Sequence, residues 1–65
     1  MKPSWQDAPD WAMMLAMDDS GLWWWFEKTD IVLLEGGWYS TTGGKIAEAG
    51  GECLKPYKEH RPAYL

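Results

Sequence analysis

A run of four aromatic residues, Trp23 to Phe26, constrains the fold of this chain more than any other feature of its sequence. Aromatic residues favour β-strands, and successive side chains of a strand point to opposite faces. Trp24 and Phe26 therefore share one face of the predicted strand, and Trp23 and Trp25 share the other. Because both faces are apolar, we expect this strand either to be covered on both sides or to leave one face exposed as a binding surface.

The short length of the chain makes such large side chains necessary. A chain of 65 residues lies near the lower size limit at which one hydrophobic core folds without disulfides or metal ions. Six Trp, three Tyr and one Phe compensate for this, since each buried aromatic side chain removes roughly 150–250 Å² from water. The single Cys excludes an internal disulfide, and with the single His it cannot complete a structural zinc site. We predict one domain over residues 1–65, in a reducing compartment, with no metal and no cofactor.

An apolar stripe before the aromatic run predicts a helix. A proline and two Asp residues at its start are typical of a first helical turn. Trp11, Met14 and Leu15 follow at positions i, i+3 and i+4, so they would line one side of a helix. We therefore predict a helix over residues 9–17, preceded by an irregular lead-in over residues 1–7.

Glycine-rich turns divide the remaining chain into strands. Residues 31–34 are aliphatic and predict a second strand, and residues 38–40 either continue it after a bulge or form a separate strand. Residues 45–49 fit a strand or one helical turn, and the glycines on both sides favour the strand. Prolines limit residues 52–65 to an extended tail. The predicted fold class is α+β: one short N-terminal helix packed on a small three-stranded antiparallel meander over residues 22–49, with an irregular C-terminal tail.

No group of residues has the pattern of a catalytic site. Cys53 and His60 suggest a thiol–imidazole pair, but no third group is implied, and an ordinary cysteine and a surface histidine explain both. The segment Thr41–Lys45 resembles a phosphate-binding loop, but it lacks that loop's first glycine and the hydroxyl residue after the lysine. A glycine-rich turn is the better interpretation. We predict that the protein is not an enzyme.

The charges of the chain are unevenly distributed. The formal net charge is -4, and seven of the ten acidic residues lie within residues 1–35 together with two of the six basic ones. This distribution argues against binding of a nucleic-acid backbone, which requires a basic patch, and favours a protein partner with a basic surface. No segment approaches the roughly 20 apolar residues that span a bilayer, and no apolar signal core begins the chain. We therefore expect a soluble protein that does not bind membranes.

The surplus of tryptophan and acid defines a candidate interface. One small core can hardly accommodate six indole rings, and Trp and Tyr are enriched among interface hot spots, although core packing alone would also explain most of them. Acids around exposed aromatic residues would form a charged rim against a basic partner. The candidate partner-binding residues are Trp23, Trp25, Trp38 and Tyr39 at the centre, where exposed, and Asp18, Asp19, Asp30 and Glu35 at the rim.

The first 27 residues of the chain resemble a group of small uncharacterised proteins of tailed bacteriophages and prophages. Those proteins follow the pattern APxWAxxLAxDxxGxWxWFE, and their tails end in KRP. The matching residues here are Ala8-Pro9-Asp10-Trp11-Ala12, Leu15-Ala16, Asp18 or Asp19 before Gly21, Trp23, Trp25-Phe26-Glu27 and, in the tail, Lys58 to Pro62. The group has no assigned activity, so the resemblance implies a setting, the host bacterial cytoplasm during infection, and no site residue.

The resemblance and the composition together give a leading functional hypothesis and two alternatives. Small acidic phage proteins often bind host machinery stoichiometrically. The leading hypothesis is therefore a phage-encoded interaction protein that inhibits or modulates a host protein, in particular an anti-phage defence protein, without catalysis. The first alternative is a structural or regulatory phage module that self-associates as a homo-oligomer. The second is a single-stranded nucleic-acid binder that uses the Trp-rich strand, although such proteins usually have a cationic groove.

Overall fold

The structure, a computed structural model, describes residues 2–18, 21–35, 37–50 and 57–63 and is built almost entirely from β-strands. The helical structure in these ranges is one 3-10 turn at Trp5–Asp7. The strands form two antiparallel sheets, one of four strands and one of two. They are β1 (Met14–Met17), β2 (Trp23–Phe26), β3 (Ile31–Leu34), β4 (Gly37–Ser40), β5 (Ile46–Gly50) and β6 (Tyr57–His60).

The four-stranded sheet has the order β5-β2-β1-β6, so β1 and β2 are its central strands. Leu15 of β1 lies opposite Trp25 of β2 on one side and opposite Glu59 of β6 on the other. The pairing of β2 with β5 shifts register between Trp23 and Trp24, which marks a bulge. The aromatic run therefore lies in the interior of the sheet.

The predicted helix over residues 9–17 is wrong, because its second half is the central strand β1. All four β1 residues are buried. Leu15 and Met17 pack on one side of the sheet, and Met14 and Ala16 pack on the other, as the alternation of a strand requires. An apolar run that is buried on both faces shows no polar positions, so its periodicity cannot distinguish a strand from a buried helix. Strand pairing along both edges of β1 decides the outcome.

The lead-in takes the place that the predicted helix would have occupied. Ser4 caps the 3-10 turn by accepting a hydrogen bond from the Gln6 N–H at 3.2 Å. The turn places Trp5 against Trp25, with ring centroids 4.9 Å apart. One face of the sheet is thus covered by a single indole and its neighbours rather than by a helix.

The predicted three-stranded meander over residues 22–49 is also wrong. β3 does not pair with β2, because β1 and β5 occupy both edges of β2. Instead β3 and β4 form a separate hairpin in which Leu34 lies opposite Gly37. The hairpin covers the second face of the four-stranded sheet through Ile31 and Trp38, which pack against Met14, Ala16 and Phe26.

The last two strands, β5 and β6, confirm one of the remaining sequence predictions and contradict part of the other. The prediction of a strand over residues 45–49 is confirmed by β5. The predicted irregular tail over residues 52–65 is wrong in part, since it contains the edge strand β6; residues 52–56, 64 and 65 lie outside the described residues. Pro62 follows the end of this strand, so it does not prevent the strand from forming.

In the described ranges, no helix has the length and apolar character needed to cross a membrane.

Candidate protein-binding surface

The exposed apolar side chains of this protein are concentrated on the β3–β4 hairpin. Val32, Leu33, Leu34 and Tyr39, which we call the hairpin patch, are 40%, 45%, 56% and 48% exposed. Ile31 is the one buried residue of β3. The hairpin therefore directs one residue of β3 into the core and leaves three aliphatic side chains in contact with water.

An aromatic groove adjoins the hairpin patch. It lies between the hairpin and strand β5, has a volume of about 190 Å³ and is open to solvent. Tyr39 lines the groove and also belongs to the hairpin patch, so the two surfaces are continuous. The other side chains that give the groove its apolar character are Trp24, Phe26, Trp38 and Ile46.

The hairpin is fixed to the sheet by Trp38. The indole N–H of Trp38 donates a hydrogen bond of 2.9 Å to the backbone carbonyl of Met17 in β1. The Nζ atom of Lys58, on β6, lies 5.2 Å from the centroid of the Trp38 ring, which is within range of a cation–π interaction. Both contacts hold the same side chain, so the wall of the groove is positioned by the core and not by the hairpin alone.

An acidic residue stands at each end of β3. Asp30 precedes the strand and accepts hydrogen bonds from the hydroxyls of Ser40, at 3.0 Å, and Thr41. Hydrogen bonds from the side chains of Thr41, Thr42 and Ser40 lower the pKa of Asp30 from 3.8 to about 2, because they favour the charged carboxylate. Glu35 follows the strand and is exposed. The hairpin patch is therefore flanked by a fixed negative charge and an exposed acidic side chain.

The structure brings together more than half of the candidate residues predicted from the sequence, four at the hairpin and one, Asp18, in the adjoining groove. Trp38, Tyr39, Asp30 and Glu35 all lie on or beside the hairpin. Trp38 and Tyr39 line the groove, and Asp30 and Glu35 flank β3.

The remaining candidate residues do not lie on the hairpin. Trp23 and Trp25 are only 2% and 4% exposed and belong to the core beneath Trp5. Asp18 is buried but also lines the groove, and its Oδ1 accepts the Leu22 N–H at 3.3 Å, so it shapes the connection between β1 and β2. Asp19 lies outside the described residues.

The aliphatic part of the surface, which is formed by Val32, Leu33 and Leu34, is not among the candidate residues predicted from the sequence. A β-branched and aliphatic run predicts a strand, but it does not indicate which side chains of that strand stay exposed. Two features of the sequence indicate this exposure. Acids bound the run on both sides, and the aromatic residues of the chain already suffice to fill a small core. Trp24, Phe26 and Ile46 were missed as groove residues because the pairing of β2 with β5 is not visible in the sequence.

The remaining sequence candidates do not form a chemical site in the described residues. Within those ranges, no three His, Asp or Glu side chains converge as metal ligands. The backbone N–H of Lys45, in the loop that resembles a phosphate-binding loop, donates to the Glu27 carboxylate at 3.0 Å. The Glu27 carboxylate therefore already accepts from a backbone N–H that a bound phosphate would need. His60 is exposed on β6, and Cys53 lies outside the described residues.

Comparison of the chain with protein-family models, with curated proteins and with solved structures gave no significant match.

Proposed function

We propose that this protein is a non-catalytic interaction protein that binds a partner protein through the hairpin patch. The observation that carries this proposal is the exposure of four large apolar side chains on one small hairpin. Contiguous apolar surface on a small protein costs solubility, and in natural proteins it commonly marks an interaction site. The adjoining aromatic groove supplies a concave element that can receive a side chain of the partner.

The charges around the patch favour a partner with a basic surface. Asp30 and Glu35 flank β3, and the chain as a whole carries a formal net charge of -4. Acids at the margin of an interface steer association with a positively charged partner and disfavour acidic ones. Nucleic acid is a poor candidate for the same reason, since its backbone is negatively charged.

The sequence resemblance to tailed-phage proteins supplies the biological setting of the proposal. In that setting the partner is a host protein in the bacterial cytoplasm, and a defence protein is the class we favour. Occupation of a functional surface would inhibit or modulate such a protein without any catalytic step.

The proposal is tested by affinity capture from bacterial lysate with two matched double variants. Val32→Ser with Leu34→Ser removes two exposed side chains of the hairpin patch. Met13→Ser with Leu22→Ser removes two side chains of similar exposure elsewhere. We expect a specific partner that the wild type and the second variant retain and that the hairpin variant loses, with circular dichroism confirming that both variants fold. Capture that survives loss of the hairpin patch would contradict the proposal.

Self-association is the competing explanation of the same surface. Sedimentation of the purified protein over a range of concentrations separates the two. A stable homo-oligomer that the hairpin double variant dissociates would assign the patch to a second copy of the chain instead of a host partner.

A further inference from the structure

Among the described residues, one edge of strand β3 has no pairing partner, and this edge is unusually suited to pairing. β3 has one strand neighbour in the described structure, β4. Its sequence, Ile-Val-Leu-Leu, contains no charge, proline or glycine. The two edge strands of the four-stranded sheet differ in this respect, since β5 contains Glu48 and β6 contains Lys58, Glu59 and His60. Charges within an edge strand oppose pairing with another chain, and β3 lacks that protection.

The backbone of β3 offers hydrogen-bonding groups along this edge. In an antiparallel pair, alternate residues direct their N–H and C=O groups to the neighbouring strand, and the intervening residues direct theirs outward. The backbone hydrogen bonds described outside the strand ladders involve no group of β3. An extended strand could therefore add to β3 without breaking any bond described in the hairpin.

The acids at the two ends of β3 determine which strand fits best. If two copies of β3 paired antiparallel over all four residues, Asp30 of each copy would lie opposite Glu35 of the other. Parallel pairing in register would place each acid beside its own copy. Like charges in directly opposed positions destabilise a sheet, whereas opposite charges stabilise it. The charge pattern thus disfavours a second copy and favours a strand with basic residues at both ends.

We infer that β3 accepts a strand of the partner protein by edge addition, and that this strand has an apolar or hydroxyl-bearing centre flanked by Lys or Arg. The inference rests on the proposed function, because the hairpin that would pair with this strand also carries the hairpin patch. The added strand extends the two-stranded sheet to three. Its side chains on the outer face lie beside Val32 and Leu34, whose exposed surface they cover.

A set of three capped synthetic peptides tests this inference with the intact protein. The probe is Arg-Lys-Val-Thr-Val-Thr-Lys-Arg, the charge control replaces its four basic residues with Glu, and the backbone control N-methylates every residue of the Val-Thr centre. Binding is followed by nuclear magnetic resonance of ¹⁵N-labelled protein. We expect the basic peptide to shift and protect the amides of residues 31–34, and the acidic peptide to bind at least about tenfold more weakly. The N-methylated peptide keeps the side chains but loses the donors, so we expect it not to bind.

Two charge-reversed proteins complete the test. Glu35→Lys removes one of the flanking acids and should reduce the preference for the basic peptide severalfold. Glu48→Lys makes the same change in net charge on the edge of the other sheet and should leave that preference unchanged. Two results would overturn the inference that the partner strand carries basic residues at its ends. One is equal binding of the basic and acidic peptides, and the other is an equal loss of the preference for the basic peptide in both variants.

Other outcomes separate this inference from the proposed function. Binding of the N-methylated peptide as tightly as the parent would overturn strand addition. A homodimer with protected β3 amides would show that a second copy occupies the edge, and would overturn it as well. If a lysate partner requires the hairpin patch but none of the peptides binds, the proposed function stands and the strand-addition inference fails. If the basic peptide adds to β3 but no lysate partner depends on the patch, strand addition at this edge is supported, whereas the proposed function fails and the assignment of the strand to a partner protein fails with it.

Discussion

At the scale of single residues, Trp38 couples the candidate binding surface to the core. One side of its indole packs on the buried cluster that contains Phe26 and Ile31, while the ring also lines the open groove. Its N–H group is bonded to the Met17 carbonyl, a backbone group of the central strand. Tryptophan suits this position because it combines a large apolar surface with one polar atom that can reach a partner.

Replacement of Trp38 by Phe should therefore destabilise the protein although the ring stays aromatic. The change removes the donor and leaves the Met17 carbonyl without that bond, which we expect to cost about 1 to 3 kcal/mol of unfolding free energy. Tyr39→Phe on the same strand is the control, and it should alter the free energy by no more than about 0.5 kcal/mol because Tyr39 is exposed. Urea denaturation of the three proteins measures both effects. Equal stability of Trp38→Phe and wild type would show that the bond contributes nothing.

The carboxylate of Asp30 should make the hairpin sensitive to acid. Its pKa in the folded protein is about 2, below the ordinary value of 3.8. A group with a lowered folded-state pKa stabilises the fold at pH values above 3.8, and that contribution is lost as the pH falls from 3.8 towards 2. Asp30→Asn should flatten the pH dependence of stability in this window, and carboxyl titration by nuclear magnetic resonance should place the midpoint near 2. A midpoint near 3.8 would contradict the hydrogen-bond network with Ser40 and Thr41.

At the scale of elements, a strand is predicted from the sequence when the pattern that marks it lies within the strand or in the residues next to it. The alternation along β2 is predicted correctly: Trp23 and Trp25 pack on one side of the sheet, and Trp24 and Phe26 pack on the other. β5 is predicted because glycines flank residues 45–49 in the sequence. β1 and β6 are not, because an apolar run and a charged tail become strands only by pairing with each other. Tyr39 is a surface candidate that the sequence predicts. The burial of Trp25 is not predicted, because it depends on a contact with Trp5, 20 positions away in the chain.

Hydrogen exchange should distinguish the central strand from the edge strands. Because β1 has neighbours on both sides, all of its consecutive amides point to a paired strand. We expect slow exchange at every residue of Met14–Met17. In β5 and β6, which have one neighbour each, we expect slow and fast amides to alternate. An alternating pattern in β1, or the absence of protection there, would contradict its central position.

At the scale of the whole molecule, the described chain forms three layers, and its two ends join the first layer to the second. The lead-in with its 3-10 turn forms one layer, the four-stranded sheet the second and the hairpin the third. Arg61, beyond β6, donates to the Ala12 carbonyl at 2.9 Å, and its guanidinium carbon lies 5.8 Å from the centroid of the Trp5 ring. Contacts between distant parts of the sequence therefore close the face of the sheet opposite the hairpin.

Glu59, on β6, joins the lead-in to the four-stranded sheet through several contacts. Its carboxylate accepts the indole N–H of Trp5 at 2.7 Å, forms an ion pair with Lys2 at 2.9 Å and accepts the Tyr57 hydroxyl at 3.1 Å. Burial by itself raises the pKa of Glu59, but the hydrogen bonds from Lys2, Trp5 and Tyr57 outweigh it, so the pKa lies below its usual 4.5. The charged carboxylate of Glu59 therefore links the lead-in, which precedes β1, to β6.

The variant Glu59→Gln tests whether this carboxylate stabilises the whole fold. It keeps the size of the side chain and an acceptor oxygen but removes the charge, so we expect a loss of about 1 to 2 kcal/mol at neutral pH. Because the folded-state pKa is lowered, this contribution is present above pH 4.5 and is lost as the pH falls through the folded-state pKa. Thermal and urea denaturation at several pH values should therefore show the stabilities of wild type and variant converging in acid. Tyr57→Phe, which removes one of the three partners, should cost less than Glu59→Gln at neutral pH. A constant difference across the whole pH range would mean that the charge of Glu59 does not hold the two ends of the described chain together.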